Sequence, residues 1–273
     1  MGIGCMTKDD PYYISAVGAL GEGSSNSLSK DTDLALAIGT KLADFTTGSW
    51  ANFENPNFKL VSVNTARYDT TKHLATPVIS DAKVGLQKIS EALGDWKAPD
   101  DWYKRAIKEK NEWDAYVEKQ SGPTNQEEPS YAHAVGAVYR NSDPSDIVVT
   151  AAGGLVGEVV QVWKPKQLNT FETEWGFSCM GYEISGALGI KMAKPDQDVV
   201  VFVGDGSYLL NNTDIYSSVI YDQKLIIIVC DNGGHMVINR LQLAKGGKEY
   251  ICNLRAARAT NLKFVDFENH AKS

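Results

Sequence analysis

Cysteine is scarce in this sequence, four in 273 residues, and no two of them form a C-x-x-C pair. Cys5, Cys179, Cys230 and Cys252 are therefore expected as free thiols rather than a disulfide framework, which implies a reducing, cytoplasmic compartment. Long apolar runs are missing too: none approaches the ~20 residues of a membrane span. Positive charge is in deficit, with 27 Lys and Arg against 34 Asp and Glu and a net charge of -7, so there is no basic footprint for nucleic acid. The first thirteen residues have no basic segment followed by an apolar one, and no signal peptide is expected. What remains is ordinary globular material, 43% hydrophobic and 22% charged with a mean hydropathy of -0.26. Its length suits one large or two modest domains.

Residues 33–39 (DLALAIG) and 59–63 (KLVSV) are short apolar runs, each expected as a buried strand. Residues 84–93 have helical spacing, with Val84, Leu86, Ile89 and Leu93 roughly on one face. Strand alternating with helix implies a parallel α/β layer, so residues 1–94 are expected to form part of an α/β domain. It looks incomplete, because its opening Gly- and Ser-rich stretch, residues 18–29 (GALGEGSSNSLS), would normally follow a strand. Residues 95–129 hold a charged, helix-compatible stretch at 102–119 and a turn-rich linker at 121–129 (SGPTNQEEP).

A second α/β domain is expected over residues 130–273, with strands at 147–150 (IVVT), 199–203 (VVVFV) and 225–230 (LIIIVC). Such continuous β-branched runs indicate strands covered on both faces of a parallel sheet. Ligands of parallel sheets sit at the carboxyl ends of the strands. The unusual residues fall there, at 151–157, 204–207 and 231–235.

Gly204-Asp205-Gly206-Ser207 leaves one strand and Asp231-Asn232-Gly233-Gly234 the next. Asp205 offers a hard carboxylate oxygen and Asn232 a neutral amide oxygen, a donor set of few charges that suits Mg²⁺ completed by waters and phosphate. The Gly206 and Ser207 amides, if they open a helix, face a phosphate. A GDG turn alone is common and structurally bland; two such turns leaving strand ends one crossover apart point to a ligand.

The run GDGSYLLNN followed by CDN resembles the diphosphate-binding signature of thiamine-diphosphate enzymes. The resemblance implies thiamine diphosphate and Mg²⁺ as cofactors, with Asp205, Asn232 and the Gly234 carbonyl as metal ligands. It places Gly153, Gly154 and Leu155 in one phosphate-facing loop and Gly204, Gly206 and Ser207 in another. Ser178, Cys179 and Met180 would brace the aminopyrimidine, with Met180 supporting the bent cofactor. His235 and Met236 would lie on the phosphate side.

Residues 171–195 (FETEWGFSCMGYEISGALGIKMAKP), VGDGSYLL, INRLQ (238–242) and ADFTTGSWANF (43–53) narrow the resemblance to the trihydroxycyclohexane-1,2-dione acylhydrolases of myo-inositol catabolism. These are built like acetolactate synthase, from a pyrimidine-binding domain, a Rossmann-like central domain and a diphosphate-binding domain. The sequence resembles the later part of the second and most of the third. The resemblance implies a hydrolase that cleaves a carbon–carbon bond in a cyclic polyhydroxy diketone, with the cofactor as electron sink. It also implies a homo-oligomer, or a partner that supplies the pyrimidine domain. An acetolactate-synthase-like carboligase or decarboxylase and a non-catalytic fragment are the alternatives.

Two departures stand out. The family's pyrimidine domain, with the glutamate that protonates the aminopyrimidine ring, has no counterpart here. Gly233-Gly234-His235-Met236-Val237 replaces a stretch that usually reads His-Gly-aromatic-Gly-Cys. The final helix of the third domain is expected to be cut short at Ser273, and no residue is assigned as the catalytic acid or base.

Other residues read as structural. His133 precedes the first strand of the second domain, and His73 lies in a polar stretch. His235, beside the metal turn, is a candidate for a substrate- or phosphate-facing role. Cys179 and Cys230 flank the site without a neighbouring base and read as packing. Glu174 and Glu183 read as a helix start or a core network. Gly18, Gly21 and Gly23 do not form G-x-G-x-x-G.

Overall fold

The computed structural model describes residues 2–174, 176–256 and 265–273. The chain forms two compact units, one of Tyr12–Lys119 and one of Gly2–Pro11 with Gln120–Ser273. No helix among the described residues is long and apolar enough to cross a membrane.

The first unit alternates helix and strand: α1 (Gly23–Asp31), β1 (Leu34–Ile38), α2 (Asp44–Thr47), β2 (Lys59–Asn64), α3 (Arg67–Thr71), β3 (Thr76–Ile79), α4 (Ala82–Leu93) and α5 (Asp100–Ser121). Its three strands are parallel in the order β1-β2-β3. The expectation of two buried strands holds for β2, where Leu60, Ser62 and Val63 are buried, and not for β1. Leu34, Leu36 and Ile38, which share one face by the two-residue period of a strand, stay exposed, whereas Ala35 and Ala37 on the other face do not. The third strand, β3, has no counterpart in the sequence reading, and its Pro77 removes a ladder donor. An edge position tolerates that loss.

Two helices also differ from the sequence reading. The Gly- and Ser-rich stretch, expected to follow a strand, is mostly α1, in which Leu28 is buried. Its approach is folded by side chains: Asn26 accepts from Gly18 N–H and donates to Gly18 O, both within 2.9 Å. In α4, Val84, Leu86 and Leu93 are exposed and Gly85 faces the sheet, where a Cβ would meet Val63 at 2.8 Å. A two-residue step turns about 200° around a helix, so Val84 and Leu86 could not share the inner face; Gly85 and Ile89, four apart, do.

The second unit runs α6 (Tyr131–Asn141), β4 (Ile147–Thr150), α7 (Leu155–Val162), β5 (Phe171–Thr173), α8 (Tyr182–Ala193), β6 (Val199–Gly204), α9 (Asp205–Leu210), α10 (Thr213–Ile220), β7 (Ile226–Cys230), α11 (Met236–Ala244) and α12 (Phe267–Lys272). Ser130 and His133 form a reciprocal capping box at the start of α6. His133 is therefore structural. The sheet is parallel in the order β5-β4-β6-β7.

Val149, Val199, Val201 and Val203 pack on Ile184 and Ala187 of α8. β4 is wholly buried, and so are five of the six residues of β6, whereas β7 at the edge is only half-buried. After β4 the chain goes to β5 on one side and returns to β6 on the other. The order reverses between β4 and β6, and a crevice opens at such a point beyond the carboxyl ends of the strands.

Candidate cofactor site

A cavity of about 430 Å³ lies at that crevice, within the ~300–1,000 Å³ usual for small-molecule sites. It gathers residues at the ends of three strands: Gly153, Gly154 and Leu155 after β4, Gly204 closing β6 with Asp205, Gly206 and Ser207 after it, and Asn232, Gly234, His235 and Met236 after β7. Ser178 and Met180 line it as well. Cys179 is exposed and is not part of the lining.

Asp205 is the first residue of α9 and is 1% exposed. Burial pushes its carboxyl above the usual range, the N–H groups of Gly206 and Gly234 draw it back, and the nearby Asp231 adds to the rise. Its Oδ2 has no hydrogen-bond partner among the described residues. A buried carboxylate oxygen without a partner is costly, and a cation removes that cost. Asn232 donates its Nδ2–H to the Tyr131 hydroxyl, which leaves the amide Oδ1 as the free ligand atom. Gly234 has φ 135°, and a Cβ there would run into the Cys252 carbonyl, so only glycine fits. Its own carbonyl accepts from Met236 N–H at 3.0 Å and keeps one lone pair.

No group of three or more His, Cys, Asp or Glu among the described residues could hold a metal by itself. One carboxylate, one amide and one carbonyl suit Mg²⁺ whose shell is completed by phosphate and water. These residues fit a magnesium-bound diphosphate.

On the phosphate side, Gly154 caps the eight-residue α7. An Arg240 guanidinium nitrogen comes within 2.9 Å of where a Gly154 Cβ would stand. Gly206 is covered by the His235 ring, whose Cε1 and Nδ1 would lie 2.5 and 2.6 Å from a Cβ at that position. The Ser207 hydroxyl donates at 2.8 Å to Glu183 inside the fold, so the backbone of Ser207 is the part left for a ligand.

The segment before α8 is shaped by Glu174, whose two oxygens accept from Phe177 N–H and Cys179 N–H, each at 2.8 Å. Burial opposes its ionisation, but these amides with those of Gly176 and Ser178 outweigh burial and hold the carboxyl below the usual glutamate range. Glu174 is thus an organiser of the loop that presents Met180. Cys230 is buried with its thiol pushed up to about 11, first by burial and then by Asp205, which makes it inert. Tyr131 and Cys252 line the cavity without having been read from the sequence. Each comes from a loop or helix start distant from the glycine turns, so no local spacing announces it.

Residues 151–273 match the family described as thiamine pyrophosphate enzyme, C-terminal TPP binding domain. Residues 1–89 match the thiamine pyrophosphate enzyme central domain. The chain is similar to the 3D-(3,5/4)-trihydroxycyclohexane-1,2-dione hydrolase of Geobacillus thermodenitrificans, at 33% identity over 93% of this chain and 43% of the relative. The hydrolases of the same name from Lacticaseibacillus casei and Clostridium tetani are 32% and 34% identical, over 99% and 89% of this chain and 46% and 41% of theirs. The chain therefore spans less than half the length of the curated relatives it matches.

Proposed function

The chain belongs to the thiamine pyrophosphate enzymes, and from that premise we propose that it holds the diphosphate and Mg²⁺ of a hydrolase acting on trihydroxycyclohexane-1,2-dione. The reaction is hydrolysis of a carbon–carbon bond that opens the ring of this cyclic diketone. The observation that carries the reading is the buried, unpartnered Oδ2 of Asp205 in a cavity that also takes in Asn232 and Gly234.

Asp205 Oδ2, Asn232 Oδ1 and the Gly234 carbonyl hold the ion. The backbone N–H groups of the 153–155 and 206–207 turns receive the diphosphate, as helix-opening amides do. Met180 lines the cavity and would stand against the rings of the cofactor, and Val237 and Ile238 add apolar lining. Thiamine diphosphate, when bound, supplies the electron sink that lets a carbon–carbon bond break. The protein's share of that chemistry is position, and water releases the acyl group.

No residue of this cavity is assigned as acid or base to the aminopyrimidine. That proton transfer belongs to a pyrimidine-binding domain, so the working site is completed in an oligomer or by that domain. Free cysteines at all four positions suit a cytoplasmic enzyme.

The test is calorimetric titration of the 273-residue chain with magnesium thiamine diphosphate, followed by a ring-opening assay with and without a relative's pyrimidine-binding domain. Binding without turnover by the chain alone, and turnover once the domain is supplied, is expected. Acid–base assistance is worth ~10²–10⁴ in rate and lost positioning costs more. Turnover of pyruvate in place of the diketone would replace this reading with a carboligase or decarboxylase.

A further inference from the structure

Glu183 lies in the first turn of α8 and is 0% exposed. A buried carboxylate costs several kcal/mol of desolvation unless it is well paired. Among the described residues, the hydrogen-bond partners of Glu183 are all neutral donors. Oε1 accepts from Ala152 N–H at 3.2 Å. Oε2 accepts from Gly181 N–H and from the Ser207 hydroxyl, both at 2.8 Å. The Ser207 oxygen in turn accepts from Gly181 N–H at 2.8 Å, which closes a triangle.

The origin of the donors gives the carboxylate its meaning. Ala152 and Ser207 line the cavity themselves, and Gly181 follows Met180, which does. One donor comes from the loop after β4, one from the start of α8 and one from α9. None comes from the middle of a strand. A residue that served only the core would be better replaced by an aliphatic side chain like its neighbours Ile184 and Ala187, both 0% exposed. An aliphatic side chain there would leave the Ala152 amide without its acceptor.

We propose that Glu183 is a positioning residue for the diphosphate site. Its carboxylate ties the loop after β4 to the starts of α8 and α9 from behind and fixes the directions of the amides that remain for the ligand. The inference rests on the proposed diphosphate reading of the cavity.

Glu183→Gln tests it, because the amide keeps the volume and one acceptor oxygen. With that oxygen turned to Gly181 and Ser207, the new NH₂ faces the Ala152 N–H, donor against donor. Two measurements are made on the full 273-residue chain. The first is amide exchange without ligand: Ala152 and Gly181 are expected to lose protection about tenfold or more while the β6 amides do not change. The second is affinity for magnesium thiamine diphosphate, measured well below the melting temperature and expected to fall about 10–100-fold, as for residues that orient metal ligands. A merely structural role would lower the melting temperature and leave the affinity of the folded protein intact.

A parent that binds and a Glu183→Gln variant that binds equally well overturn this proposal alone. A parent that does not bind overturns the reading of the site and the proposal with it. If Glu183→Gln does not fold, Ser207→Ala removes one donor of the triangle from the α9 side. Its affinity is expected to fall several-fold, and an unchanged value overturns the proposal.

Discussion

The side-chain amide of Asn232 is held by the hydroxyl of Tyr131, a residue 101 positions earlier that opens α6. The phenol is pushed up to about 12, chiefly by burial, and stays protonated at neutral pH. With Nδ2 bonded to the phenol, Oδ1 is the amide atom left for a ligand. Tyr131→Phe keeps the ring and removes that restraint. The variant is expected to bind Mg²⁺ about tenfold more weakly, the lower end for loss of a residue that orients a metal ligand. Magnesium titration at saturating thiamine diphosphate measures this, and an unchanged midpoint would show that the amide needs no such guide.

Tyr131 also marks where the sequence stops being legible. Strands β4, β6 and β7 are readable because they are continuous β-branched runs, and the turns that leave β6 and β7 because glycines flank Asp205 and follow Asn232. The order of those turns along a parallel sheet brings thirteen of the fourteen anticipated residues to one cavity. Tyr131 and Cys252 arrive through tertiary packing and carry no periodicity or motif. The first unit was harder for a different reason. Edge strand β1 is legible as an apolar run but not as the exposed strand it is, β3 lacks such a run, and α1 is written in Gly and Ser, poor helix formers by propensity.

Asp205 gives the most direct test of the metal. Asp205→Asn keeps the shape and removes the only carboxylate of the proposed ligand set. Magnesium-dependent affinity for thiamine diphosphate is expected to fall about 100-fold or more, since the hard anionic oxygen dominates such a site. The metal-free variant should melt no lower than the parent, because it replaces a buried oxygen that has no partner. Equal affinities by calorimetry would remove Asp205 from the ligand set.

Gly206 and His235 are coupled by contact. Any side chain at 206 meets the imidazole, so Gly206→Ala is expected to push His235 aside and weaken diphosphate binding. His235→Ala should empty that space, and the double variant should bind better than Gly206→Ala alone. A double-mutant cycle isolates the coupling, with interaction energies of roughly 0.5–3 kcal/mol expected for residues in contact. Additive losses would mean that His235 moves freely in solution.

The loop carrying Met180 is held by charge and should respond to acid in a defined direction. Glu174 has its carboxyl below the usual range because the amides that it accepts from outweigh the effect of burial. Ionised Glu174 is bound more tightly by the ordered loop than by a released one, so the order is complete above the ordinary glutamate pKa of ~4.3. It is lost as the pH falls through the depressed value of the folded state. Exchange of the Phe177 and Cys179 amides, corrected for intrinsic rates, should therefore stay protected at pH 5 and rise only in stronger acid. Glu174→Gln retains one acceptor and loses the charge, so both amides should already exchange faster at neutral pH, and cofactor affinity should drop because Met180 loses its support. Protection in the variant that matches the parent at every pH would show that the backbone of residues 176–179 holds its shape without the carboxylate.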